Sequence, residues 1–267
     1  MNGRLFRQTI RWQRTRLLVV LIAAIAWGVL IPIVYSAFSD AMRDLVNSGA
    51  IPNELLNIGS GSLFTLPGAI TLGLQHPLAI AMLGIFAVGA SSTAIAGERA
   101  RGTLETVLAR PISRITLYVS ILVALLLVVL FVLSTLLGAM VGASTGLGLG
   151  DELDAAGLPL VIINGFGLWA SFTTFGLAAS VSFDRPGPAI GLTLAWLLIH
   201  YFLEILGSLW TDAAWTQDYS LLHHFDPGAI LTGDVRPLDF VIVFTAAIIP
   251  IVYALIVFPR RDLAAPA

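Results

Sequence analysis

Long apolar runs alternate with short polar segments along this chain. A helix rises about 1.5 Å per residue, so about 20 apolar residues cross the hydrocarbon core of a bilayer. Six runs are long enough, at residues 17–38, 77–97, 115–142, 159–181, 189–207 and 239–258. The pattern predicts an all-α membrane protein with six transmembrane helices in a single transmembrane domain over residues 1–267.

The composition agrees with this fold class. The 267 residues are 57% hydrophobic and only 11% charged, with a mean hydropathy of +0.92, whereas about a quarter of the residues in a soluble domain are charged. The absence of cysteine excludes disulfides, thiolate metal sites and cysteine nucleophiles. The chain also has no lysine, which a Walker-type phosphate-binding loop requires. Any ATPase that acts with this chain must therefore be another polypeptide.

The arginines predict the orientation of the helices. If the N-terminus lies inside, twelve arginines fall on cytoplasmic segments and only Arg43 and Arg236 fall outside. Cytoplasmic loops carry an excess of basic residues, so we expect both termini in the cytoplasm and a multi-pass position in the cell (inner) membrane. The cytoplasmic set is Arg4, Arg7, Arg11, Arg14, Arg16, Arg99, Arg101, Arg110, Arg114, Arg185, Arg260 and Arg261.

Residues 2–16 have the pattern of an amphipathic helix. At 100° per residue one face carries basic side chains and the other carries apolar ones. The basic face has Arg4, Arg7, Arg11 and Arg14, and the apolar face has Leu5, Phe6, Ile10 and Trp12. We expect an interfacial helix in the inner headgroup layer. The alternative is a plain basic flank that fixes the topology.

The polar segment 98–114, between the second and third runs, predicts a short helix of its own. Gly102 interrupts the preceding helix and Thr103 is a suitable N-cap, so the helix should cover Leu104–Arg110 with Glu105 in its first turn. Pro111 should end it. Leu104, Val107 and Leu108 share a face that can lie on the membrane or enter a groove of a partner. The simpler alternative is a solvated loop anchored by arginines.

The same segment resembles a known motif. Glu98, Gly102-Thr103-Leu104-Glu105, Leu108 and Pro111-x-Ser113-Arg114 resemble the segment after the second span in membrane subunits of type-2 ATP-binding cassette (ABC) transporters. The resemblance implies a coupling helix that seats in a cleft of a separate ATPase subunit. It assigns ATPase coupling to Glu98, Arg99, Gly102, Thr103, Leu104, Glu105, Leu108, Pro111, Ser113 and Arg114.

The resemblance also implies an assembly and a mechanism. The chain would be a non-catalytic permease subunit, more specifically of an exporter, paired with a second copy or a homologue. Two cytoplasmic ATPase subunits would hold ATP and Mg, no cofactor would bind this chain, and no nucleic acid would be involved. Glu98 and Glu105 would contact the ATPase by charge, and Leu104 and Leu108 by packing. Motion would pass through continuous second and third spans, and the third outer segment, residues 208–238, would hold a short re-entrant or interfacial hairpin.

Three polar residues inside the predicted membrane spans are candidates for the substrate path. His200 and Glu204 lie four residues apart on one face of the fifth span, and Asn164 lies in the fourth. A charged side chain at the bilayer centre costs about 2.5 to 3.5 kcal/mol on insertion scales, so these groups should face protein or water. His200 and Glu204 either line a translocation path or hydrogen-bond to each other, and Glu204 could instead reach water at the outer surface. The same two readings apply to Asn164.

Two alternative functions do not involve an ATPase. A secondary transporter driven through His200 and Glu204, or an ATP-independent scaffold or sensor, would need no ATPase.

His223, His224 and Asp226 are close in sequence but should point in different directions, and we expect no metal site.

Small residues predict close helix packing. Gly138, Gly142 and Gly146 recur every four residues in the third span, and Ala87, Ala90, Ser91 and Ala94 lie on one side of the second.

We expect the first outer segment, residues 39–76, to hold an interfacial helix followed by a partly buried stretch at 59–74.

Overall fold

The computed structural model describes residues 2–48, 65–109 and 111–261, and within these ranges the regular structure is helical, with no strand. The helices are α1 (Gly3–Asn47), α2 (Leu66–Gln75), α3 (Pro77–Thr93, with a π-helix at Ile85–Ala90), α4 (Ala96–Ala100), α5 (Thr103–Leu108), α6 (Arg114–Gly146), α7 (Leu158–Ser182), α8 (Pro186–Leu209), α9 (Pro227–Leu231) and α10 (Pro237–Arg260). Single 3₁₀ segments cover Gly150–Glu152 and Thr211–Tyr219.

Five of these helices are long and apolar enough to cross a bilayer: α1, α6, α7, α8 and α10. The pair α2 and α3 passes the same test together, although the two helices meet at an angle of 48°. The described residues therefore contain five candidate spans, or six if the bent pair is one span. For α6, α7, α8 and α10 the predicted boundaries are confirmed to within about four residues at each end.

The predicted second span differs most from the structure. Helix α3 begins at Pro77 as predicted, but if the bent pair is one span, that span begins at Leu66, within residues assigned to an outer segment. The bend has a local cause: Pro77 disfavours helical geometry in the residue before it, and His76 is extended with ψ 143°. The His76 Nδ1 then accepts a hydrogen bond from the Leu78 backbone N–H (3.2 Å) and caps α3. The predicted span 77–97 is itself interrupted at residues 94–95, between α3 and α4, so the expectation of a continuous second span is wrong. Residues 49–64 lie outside the described residues.

The first helix continues without a break through residues 16 and 17. The segment 2–16 is therefore the start of α1 and not a separate helix. Its arginine face is exposed and Leu5, Phe6 and Ile10 are half-buried, as the pattern predicts, but Trp12 is 60% exposed. The Asn2 backbone N–H donates to Ser120 Oγ on α6 (2.8 Å). A position of this segment in the headgroup layer remains a prediction.

Helix α7 lies at the centre of the bundle and contacts α3, α6, α8 and α10. The closest approach is at Gly176, where a Cβ would lie 2.1 Å from Ser91 Oγ on α3 and 3.0 Å from Thr193 on α8. The small face predicted on the second span therefore packs closely, as expected. At Gly138, Gly142 and Gly146 no described atom lies within 4 Å of an added Cβ. Within the described chain, this glycine stripe on α6 therefore faces no neighbouring helix.

The segment after α8 folds back along that helix. Thr216 Oγ1 donates to the Leu203 carbonyl (3.0 Å), and Ser220 Oγ donates to the His200 carbonyl (2.8 Å). Because α8 ends at Leu209, the return covers about 13 Å of helix at 1.5 Å per residue. Phe225 is buried and its carbonyl accepts from Gln75 Nε2 on α2 (2.7 Å). The segment therefore doubles back on α8, and a re-entrant or interfacial position in the membrane stays a prediction.

Candidate functional site

The turn between α4 and α5 is built around Gly102. Its φ of +71° lies in the left-handed region, which an L side chain rarely adopts, so glycine fits here. Gly102 also occupies the N-cap position of α5, and Thr103 is the first helical residue. The prediction of Thr103 as the N-cap is therefore wrong. The helix ends at Leu108, two residues before the predicted end, and Arg110 lies outside the described residues.

Glu98 closes this turn from inside the molecule. Its side chain is 11% exposed and pairs with Arg101. Thr103 Oγ1 donates to the Glu98 carboxylate and to the Glu98 carbonyl (3.1 Å). The resemblance implies a charged contact between Glu98 and a partner, but these bonds use its carboxylate within the chain. Its role is to position the start of α5.

Only part of the predicted partner-binding set is exposed. Leu104 is 4% exposed and packs into the bundle, because α5 turns this side towards the core. The prediction that Leu104 packs against an ATPase therefore does not match its position, and the side chain of Leu108 lies outside the described part. Gly102, Thr103, Glu105, Pro111 and Ser113 are exposed, and we call this set the exposed loop face.

The end of the exposed loop face is fixed to α6. Ser113 caps α6, because the Thr116 backbone N–H donates to Ser113 Oγ (3.1 Å). The Arg114 guanidinium donates to three carbonyls at the end of α10, those of Phe258 (3.2 Å), Pro259 (3.2 Å) and Arg261 (2.6 Å). A cation at a helix C-terminus satisfies carbonyls that lack helical partners. Arg114 therefore joins the loop to the last helix.

A second connection is formed by the ionic cluster of Arg99, Asp184 and Arg261. Arg99 lies 2.8 Å from the Asp184 carboxylate, and Arg261 pairs with the same oxygen. Arg261 also donates to the Val181 carbonyl at the end of α7. The cluster joins α4, the turn between α7 and α8, and the end of α10. The resemblance implies a coupling role for Arg99, and charge placement predicts that Arg99 and Arg261 are both cytoplasmic, but neither indicates that Asp184 lies between the two.

Ser180 supports the break between α3 and α4. The backbone N–H groups of Ile95 and Ala96 both donate to its hydroxyl, each at 2.9 Å. Ser180 is fully buried in α7. Because both amides lie where the helix is interrupted, they need a partner outside their own helix. This link was not predicted, since a serine in an apolar helix carries no signal of the backbone it will face.

His200 and Glu204 bind the folded-back segment and not each other. The Leu221 backbone N–H donates to His200 Nδ1 (3.1 Å), and Gln217 Nε2 donates to Glu204 Oε1 (2.9 Å). The alternative of a mutually hydrogen-bonded pair is therefore wrong. His223 Nδ1 lies 3.6 Å from Glu204 Oε1, and this interaction raises the pKa of His223 above its usual value, against a smaller opposing effect of burial.

Asn164 is fully buried in α7, and among the described residues neither its amide oxygen nor its amide nitrogen has a hydrogen-bond partner. A buried amide without partners is costly, so a water molecule or a ligand is expected to satisfy it. Asn164 therefore remains a candidate for the substrate path.

The adjacent histidines bind separate carboxylates. His224 Nδ1 lies 2.8 Å from Asp239 Oδ1, whereas His223 faces Glu204. Asp226 caps α9 by accepting from the Ala229 backbone N–H (2.9 Å). The three side chains therefore do not converge on a single point. In the described ranges no group of three His, Asp or Glu residues could hold a metal ion.

Comparison with known proteins adds one finding to this geometry. The family model described as ABC-2 family transporter protein matches residues 5–263, and so covers every helix from α1 to α10. No curated protein gives a significant match. The family that this model describes is the one that the motif in residues 98–114 resembles.

Proposed function

Because the chain belongs to the ABC-2 family of transporter proteins, we propose that it is the permease subunit of an ATP-binding cassette exporter. It is a membrane component, and its described residues hold five helices suited to crossing a bilayer, or six spans if the bent pair of α2 and α3 is one span. ATP and Mg would bind a separate ATPase subunit, because a Walker loop needs a lysine and this chain has none.

The observation that carries this proposal is the exposed loop face. A short helix stands at its centre, with Glu105 and Thr103 exposed and Leu104 anchored in the core. The Glu98 contacts fix the start of this helix, and Arg114 and the ionic cluster fix its surroundings. A partner that pushes on this surface therefore pushes on several membrane helices at once. A solvated loop would not need these anchors.

The proposed orientation places the loop in the cytoplasm. Five arginines lie at the end of the bundle that carries the loop: Arg99, Arg101, Arg114, Arg185 and Arg261. Cytoplasmic segments are enriched in such residues. The N-terminus lies at the same end, because Asn2 bonds to Ser120 near the start of α6. Both termini would then lie inside the cell.

The working unit would contain two permease chains, identical or homologous, and two ATPase subunits. Binding of ATP can shift the permease between inward and outward access only if the ATPase binds the two states differently. Export is the proposed direction. The bundle interior is mainly apolar, with Asn164 as a buried polar group, which favours an amphipathic cargo over a small ion.

The test compares two acid-to-arginine substitutions at opposite ends of the molecule. Glu105→Arg changes the exposed loop face, and Asp151→Arg changes another exposed acid, between α6 and α7. Loss of a charged contact and introduction of a like charge should lower ATPase affinity about tenfold or more, since each 1.4 kcal/mol is a factor of ten. We expect ATP-dependent transport to fall with Glu105→Arg and to persist with Asp151→Arg.

Binding of the ABC ATPase that co-purifies with the chain is measured in nanodiscs, and membrane insertion of each variant is measured alongside. Equal ATPase binding by the two variants would refute the assignment of the loop. Transport by the purified chain along a proton gradient with no ATPase would refute the proposed function as a whole, and would favour a secondary transporter.

A further inference from the structure

A cavity of about 250 Å³ lies between the start of α1, the end of α3, helix α5 and the start of α6. Its wall is polar at one side and apolar at the other. Gln13 and Arg16 from α1 form part of the polar side, together with the Glu98–Arg101 pair. Such a wall suits an amphipathic ligand, because it offers hydrogen bonds at one end and apolar surface at the other.

Two polar groups in this wall lack partners in the described part of the chain. The Gln13 Oε1 atom is buried and accepts no hydrogen bond. Arg16 is exposed, and no carboxylate of the described residues pairs with it. Glu98, by contrast, is already bound by Arg101 and Thr103. The cavity therefore presents the Arg16 cation and the Gln13 Oε1 acceptor to a ligand.

The apolar side is a stripe along α6. Leu117, Ile121 and Leu125 recur every four residues and so share one helix face, and each is less than 10% exposed. Leu104 and Val107 of α5 close this side. Trp12 stands at the rim and is 60% exposed. Tryptophan is enriched at the headgroup depth of membranes.

We propose that this cavity binds the headgroup of one phospholipid. The phosphate pairs with Arg16, and a hydrogen-bond donor of the headgroup, an ammonium or a hydroxyl, bonds to Gln13 Oε1. The first carbons of an acyl chain lie along Leu117, Ile121 and Leu125. At about 250 Å³ the cavity holds a headgroup and not a whole lipid, so the acyl chains extend into the bilayer. The proposal does not depend on an ATPase.

The headgroup chemistry gives the first arm of the test. Native mass spectrometry of the full-length chain, released from detergent micelles, measures binding of phosphatidylethanolamine, phosphatidylglycerol and phosphatidylcholine. The first two carry a donor and the third does not. We expect at least fivefold tighter binding of the first two, and loss of this preference in Gln13→Leu. Equal binding of all three lipids by the unmodified chain would overturn the proposal.

A matched pair of arginines gives the second arm. Arg16→Gln removes the cation that lines the cavity, whereas Arg11→Gln removes one from the same helix that does not line it. Charge-assisted hydrogen bonds support a loss of roughly tenfold to a hundredfold for Arg16→Gln. Arg11→Gln should change lipid affinity less than twofold. Equal losses in the two variants would show general attraction to anions and would overturn the site.

Soluble anions separate a lipid from a free phosphate. Inorganic phosphate and glycerol 3-phosphate are added to the lipid-bound chain, each at the concentration at which the lipid saturates its site. They should not compete with it, because they lack the apolar part that contacts α6. Displacement of the lipid by either anion at equal concentration would identify the ligand as a free phosphate and would overturn the proposal.

Discussion

Replacing Ser180 with alanine should destabilise the junction between α3 and α4, which precedes α5. The Ser180 hydroxyl accepts hydrogen bonds from the backbone N–H groups of Ile95 and Ala96, both at 2.9 Å. These amides lie at the break between α3 and α4, so the helix itself offers them no ideal partner. The substitution removes one oxygen atom and leaves the rest of the packing unchanged.

The magnitude follows from the two amides left without a partner. A buried donor that loses its acceptor costs about 1–3 kcal/mol. Ser180 is fully buried, and two donors share its oxygen, so we expect a loss of about 2–4 kcal/mol of unfolding free energy. Ser171→Ala is the matched control. Ser171 is also buried in α7, but its hydroxyl donates to the Leu168 carbonyl of its own helix (2.6 Å), so its removal leaves no backbone donor unpaired.

Two measurements read out this effect. Chemical unfolding of the purified chain in detergent gives the difference in free energy, with an expected loss of about 1 kcal/mol for Ser171→Ala, because only one hydrogen bond within α7 is removed. Hydrogen exchange followed by mass spectrometry tests the location, because exchange should accelerate in peptides that contain Ile95 and Ala96 and remain unchanged at the far end of α7. Equal stability of the two variants, or no faster exchange at residues 95 and 96, would refute the reasoning.

Three further predictions concern the turn at Gly102, the ionic cluster around Asp184, and the segment that folds back on α8. Gly102→Ala and Gly148→Ala should cost a similar 1–2 kcal/mol or so, because both glycines have positive φ in open space; only Gly102→Ala should lower ATP-dependent transport, and an equal fall in both would contradict the assigned role of the turn. Asp184→Asn should destabilise the chain by about 1 kcal/mol, since the carboxylate is 61% exposed; in the reconstituted complex it should reduce the transport obtained per ATP hydrolysed, and an unchanged ratio would show that the ionic cluster transmits nothing. The pKa of His223 is raised in the folded chain, so its pairing with Glu204 stabilises the fold below the unfolded pKa of the histidine, and this stability is lost as pH rises through the folded pKa. His223→Gln should therefore lower Tm more at about pH 5.5 than at about pH 8.5. A Tm difference that does not depend on pH would contradict this pairing.

Four membrane helices could be predicted from the sequence to within a few residues. The boundaries of α7, α8 and α10 follow from prolines near their first positions, which favour a helix start. Apolar length fixes the rest, because a bilayer requires about 20 such residues. The second span could not be delimited in this way. Its apolar residues continue through the bend at His76 and Pro77, and hydropathy does not distinguish one bent span from a shorter straight one.

The candidate site was predictable as a segment and not as a surface. Charge and turn residues locate the loop and its short helix, but they do not show which side chains turn inwards. Glu98 pairs with Arg101 three residues on and with Thr103 five residues on, so it is satisfied locally. Leu104 packs into its own bundle. The burial of Leu104 depends on the direction of α5 relative to the other helices, which is a tertiary property, whereas the Glu98 contacts depend on the geometry of the turn at Gly102.

The broken second span changes how force could pass from the loop into the membrane. A continuous helix would transmit a push along its axis, but here the chain is interrupted at residues 94–95, contains a π-helix at Ile85–Ala90 and bends by 48° after Gln75. Each interruption allows one part to move without the next. The direct links from the loop run elsewhere: along the unbroken α6, through Ser180 to α7, and through Arg99, Asp184 and Arg261 to α10. In the proposed transporter, displacement of α5 would therefore move α6, α7 and α10 together, while the second span adjusts between them.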